Sequence, residues 1–151
     1  MTDAQSLAFA GGLIGGIFVT FGFFLLIFYV LLVIALWKIF TKAGEEGWKA
    51  IIPIYNTWVL CKIIGVNFWV WMIALPIIGG IIVGVLGEES QIGSLINIIV
   101  SLAIDIKVAM SLSKSFGKGS GFTVGLIFLP NIFQLILGFG SAEYVGPNGN
   151  E

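Results

Sequence analysis

From Ala4 to Trp37 the chain carries no charged side chain. Nothing else in the sequence restricts the fold as strongly. A bilayer crossing needs about 20 apolar residues, so this interval holds one crossing with length to spare, placed at 12–37. Three further apolar stretches follow, at 67–87, 92–113 and 121–140. Over the 151 residues 58% are hydrophobic and 10% charged, more apolar surface than a water-soluble domain of this size hides. The expected fold class is therefore all-α: a polytopic transmembrane helical bundle with four spans. It forms a single membrane domain, 1–140, followed by a flexible extracytoplasmic tail, 141–151. The N-terminus lacks the basic residue that opens a cleaved secretory signal, so the first span is expected to be retained.

The seven cationic residues are all lysines, because the chain has no arginine. Lys38, Lys42, Lys49 and Lys62 fall between spans one and two, and Lys107, Lys114 and Lys118 near the junction of spans three and four. With four spans they share one face, which retention of basic residues makes cytoplasmic. Both termini then lie outside. Trp37, Trp48, Trp58, Trp69 and Trp71 fall near that same face, where indole rings favour the interface.

The segment 48–64 is apolar yet too short to cross. Pro53 interrupts any helix there. Two readings stand: an amphipathic helix in the cytoplasmic interface, with Trp48, Tyr55, Asn56 and Trp58 at headgroup level, or a re-entrant elbow covered by protein. The order lysine, glycine, Gly-aromatic, aliphatic run, proline, aromatic occurs twice, around Pro53 and around Pro130, as in a degenerate parallel repeat.

Span three places Ser94, Asn97, Ser101 and Asp105 at i, i+3, i+7 and i+11, along one helical face. Span four carries Asn131 and Gln134 beside Pro130, which leaves the Leu126 carbonyl without its helical donor. These six residues form a candidate polar seam. It acts either as interhelical glue or as a hydrated path with Asp105 as a proton or cation site. In the first case Asp105 pairs with Lys62 or Lys38, since Lys107 lies off its face. Small residues at Ala8, Gly12, Gly16 and Thr20 permit close helix approach, within the monomer or in a homo-oligomer.

Enzymatic chemistry finds little support. No histidine is present, and the single cysteine, Cys61, excludes an internal disulfide. Ser111 to Lys114 fits Ser-x-x-Lys without the companion motifs of penicillin-binding enzymes. The Phe116–Gly121 string lacks the order of a phosphate loop. Glu45-Glu46 and Glu88-Glu89 read as solvated loop charges. No cofactor, metal or nucleic acid is expected.

Trp37, Phe40, Lys42, Ala43, Gly44, Gly47, Trp48, Ile52, Pro53, Tyr55 and Asn56, then Phe116, Gly117, Lys118, Pro130, Tyr144, Val145 and Gly146, make a pattern over residues 30–146. It resembles a family of small bacterial integral membrane proteins of unknown function, some of whose members look fused to signal peptidase I. The resemblance implies a bacterial cytoplasmic membrane and no known reaction. This chain has no soluble catalytic domain to carry the peptidase activity. The expected role is a non-enzymatic membrane subunit or accessory protein acting through lipid or membrane-partner contacts; the alternative is a small ion or solute channel or transporter using the seam.

Overall fold

The computed structural model describes residues 2–87 and 90–149, all helical or irregular with no strand among them. Helix α1 spans Asp3–Lys42, α2 Tyr55–Ile63, α3 Trp69–Leu86, α4 Gln91–Ser115, α5 Ser120–Phe128 and α6 Pro130–Phe139. Three of them, α1, α3 and α4, are long and apolar enough to cross a membrane. At 40 residues, α1 is about 60 Å long.

Three helices end at the lysine end of the molecule by one device. After α1, Gly44 takes φ +79°. Glu45 N–H then bonds the Phe40 carbonyl and Gly44 N–H the Thr41 carbonyl. After α4, Gly117 takes φ +63°, with Lys118 N–H on Ser113 and Gly117 N–H on Lys114. After α2, Gly65 and Val66 repeat the pattern on Lys62 and Cys61. Each is a Schellman cap, which a glycine satisfies without Cβ strain. This gives the Lys-Ala-Gly and Phe-Gly-Lys strings a physical meaning: they stop helices. Ser113 Oγ adds to the α4 stop, 3.1 Å from the Lys118 carbonyl oxygen and 3.0 Å from that of Gly119.

Helices α3 and α4 pack antiparallel, Gly79 against Val100 and Gly93 against Val83. Pro76 cannot bond the Met72 carbonyl, and the turns before it, Trp69–Ala74, widen to π geometry. Every residue from Asp3 to Leu31 is exposed; α1 approaches the hairpin tip at Phe28 and is buried only from Ala35 on. The buried core lies at the lysine end, where Ile39, Phe40, Val59, Ile64, Leu112 and Leu137 come together.

The expected single helix over 121–140 is replaced by two short ones. Leu129 (φ −134°, ψ 59°) breaks the helix, and the chain doubles back. Phe133 packs on Gly125, where a Cβ would collide with its ring. The rings of Phe122 and Phe133 meet edge to face at 5.1 Å. On a straight helix eleven residues would separate them by about 16 Å. Lys42 Nζ, at the end of α1, donates to the Leu137 carbonyl at 2.7 Å and the Gly140 carbonyl at 2.8 Å. The α6 C-terminus therefore returns to the end where α5 began.

Residues 144–148, read in the sequence as part of a free tail, run along that same end. Val145 N–H bonds the Ser115 carbonyl, Asn148 N–H reaches Ser115 Oγ, and Tyr144 OH donates to the Ile63 carbonyl at 2.6 Å. Asn150 and Glu151 lie outside the described residues, as do Glu88 and Glu89.

Candidate site at the tip of the α5–α6 hairpin

The segment 48–64 is neither one helix nor a smooth elbow. A 3₁₀ turn, Gly47–Ala50, leads into a break where Ile54 takes φ +67°, and α2 follows. Asn56 Nδ2 donates to the Ala50 carbonyl at 3.2 Å and holds the bend. Trp48, Tyr55 and Trp58 stack in a row, with centroid separations of 6.4 and 5.6 Å. Pro53 lies inside the break. The two proline segments thus share an order, long helix, glycine stop, short helix, break, helix, with different helix lengths.

Glu45 is not a simple solvated charge. Lys49 and Lys62 both donate to its carboxylate at 2.7 Å, which ties the loop after α1 to α2. Those bonds, that from Lys49 first, hold the Glu45 carboxyl below its ordinary 4.5. A depressed carboxylate pKa contributes stability above about pH 4.5, and the contribution disappears as pH falls through the folded-state value. Glu45→Gln should therefore lower the melting temperature at pH 7, with the gap to the wild type narrowing as pH falls below about 4.5. A gap that stayed constant would contradict the ion-pair role.

Cys61 is buried at 1% exposure, and burial pushes its thiol pKa up. It reports folding rather than sidedness.

The hairpin tip lies between α1 and α4. On one side Phe28 of α1 faces Leu129, Pro130 and Asn131. On the other a cavity of about 300 Å³ is bounded by Met72 of α3, Ile104 and Asp105 of α4, and Leu126, Pro130 and Gln134 of the hairpin. Asp105 stands ten residues above the end of α4, about 15 Å along the helix.

Of the six seam residues, only Asp105 and Gln134 line this cavity. Asn131 falls on the α1 side. Ser94, Asn97 and Ser101 sit higher on α4 and are exposed. The hairpin is too short to reach them, so no continuous seam forms.

The anticipated ion pairs of Asp105 do not form either. Lys62 is on Glu45, and Lys38 lies over the Phe139 ring at 5.1 Å. Among the described residues Asp105 has no hydrogen-bond or ion-pair partner. No group of three potential metal-ligating side chains occurs among them.

Residues 48–147 match the sequence profile of a family of unknown function, DUF5684. The chain belongs to that family. The DUF5684 match takes in α2, α3, α4, the hairpin and the docked segment up to Pro147, and it leaves α1 outside. Of the pattern read in the sequence, Trp37 to Gly47 precede the matched stretch, and Trp48 to Gly146 fall within it. No curated protein and no solved structure matches the chain.

Proposed function

We propose that this DUF5684 chain is a non-enzymatic subunit of a bacterial cytoplasmic membrane, and that α1 is the helix by which it holds another integral membrane protein. The observation that carries the reading is the bare length of α1. A span-length apolar helix leaves Asp3 to Ile27 exposed, yet its lower part meets the hairpin tip at Phe28 and is fixed in the core through Ala35, Ile39 and Phe40. Ala8, Gly12, Gly16 and Thr20 line one side of the bare part and allow a second helix to approach closely.

The accompanying topology is three crossings, α1, α3 and α4, with α5–α6 entering and leaving on the lysine side. All seven lysines still share one face, which is cytoplasmic by charge retention. The N-terminus then lies outside, and the docked segment 144–149 lies inside with the lysines. The stacked row Trp48, Tyr55 and Trp58 sits in the cytoplasmic interface. A transport role fits less well, because among the described residues the polar side chains of α4 above Asp105 have no polar side-chain partners opposite.

Photo-crosslinking from Gly12 and Gly16 in native membranes tests the role. The expected product is a covalent adduct with a different membrane protein. Adducts between two copies of this chain alone, or adducts with lipid alone, would overturn it.

A further inference from the structure

We infer that the cavity beside Asp105 binds a small lipophilic organic cation. The inference stands apart from the role of α1 and rests on the chemistry of the cavity wall. Among the described residues that line it, Asp105 is the only ionisable side chain and Gln134 the only other polar one. The remaining wall is apolar, with Met72, whose flexible thioether adapts to varied shapes. A carboxylate at this depth is costly when unpaired.

Among the described residues no lysine forms an ion pair with Asp105. Lys42, Lys49 and Lys62 are bonded elsewhere, and Lys38 rests on Phe139. Lys107, two residues on, faces away from Asp105 along the helix.

The class of ligand follows. An anion would be repelled. A divalent metal ion wants six or more oxygen ligands, and two polar side chains do not provide them. A body with one positive centre and an aryl or alkyl remainder satisfies both the carboxylate and the apolar wall. A volume of about 300 Å³ suits a small molecule of this kind.

Benzyltrimethylammonium, whose charge does not titrate, is the probe, with neopentylbenzene as its uncharged isostere. Binding is measured on the full chain in nanodiscs of zwitterionic lipid, with empty nanodiscs as the reference. The wild type should bind the cation saturably. Asp105→Asn should weaken it about tenfold or more, the scale of one lost charge interaction, while leaving neopentylbenzene unaffected. Asp105→Glu should retain binding, which separates charge from folding. Ile104→Trp, with Asp105 intact, should block the cavity. The inference fails if the wild type binds no more than empty nanodiscs. It also fails if Asp105→Asn or Ile104→Trp binds as well as the wild type, or if Asp105→Glu loses binding along with Asp105→Asn.

Discussion

Gly138→Val will part α1 from α6 and cost the protein about 3 kcal/mol, the upper range for overpacking a core. A Cβ at Gly138 would lie 2.6 Å from the Ala35 carbonyl oxygen and 2.7 Å from its Cα. What it meets is helix backbone, which cannot rotate aside like a side chain. The two helices touch nearly backbone to backbone here, so neither can give way without moving as a whole. Thermal unfolding of the purified protein in mild detergent checks this. Gly12→Val is the control: nothing stands within 4 Å of a Cβ there, so its effect should stay within about 0.5 kcal/mol. Equal effects at the two sites would contradict the packing.

Lys42→Met removes the second fastening of the same junction. Two short hydrogen bonds from a charged donor end α6, at the Leu137 and Gly140 carbonyls. Each such bond is worth about 1.5–3 kcal/mol when buried. Lys42 is only half-buried, so screening reduces the pair to a loss of about 1–3 kcal/mol. Methionine keeps the length of the stem and removes the donor. Amides of residues 136–140 should then exchange faster with solvent, ahead of those in α4. The double variant with Gly138→Val should destabilise by less than the sum of the two, because both changes open one contact. Full additivity would mean that the two residues hold separate things.

The three long helices were legible from hydropathy alone. Spans read at 12–37, 67–87 and 92–113 fall within or close to Asp3–Lys42, Trp69–Leu86 and Gln91–Ser115. The glycine stops of α1 and α4 were within reach of the sequence too, since a glycine just past a lysine-bearing last turn is a common helix end. The hairpin was not. About twenty apolar residues suit one crossing or two half-length helices equally well, and Pro130 alone would only kink a helix. The deciding contact, Phe133 on Gly125, joins residues eight apart, which a straight helix would hold about 12 Å from each other.

Charge placement could not break the tie. Lys118 is the last lysine, and the acidic Glu143 and Glu151 beyond it carry little topological weight. The candidate site was half legible for the same reason. The helical spacing from Ser94 to Asp105 describes one face of α4, but the hairpin rises only to Asp105. Turning at Leu129 also carries Asn131 to the α1 side and keeps Gln134 with Asp105.

The reversal at Leu129 is the claim on which the topology and the depth of the Asp105 cavity rest. Its most direct test is sided labelling with a membrane-impermeant thiol reagent. In a Cys61→Ser background, single cysteines replace Gln91, Lys118 or Glu143, and intact cells are compared with inverted vesicles. Cysteine at 143 should behave like cysteine at 118, protected in cells and labelled in inverted vesicles, and opposite to cysteine at 91. Labelling of position 143 from outside intact cells, together with position 91, would mean that residues 121–140 cross the bilayer.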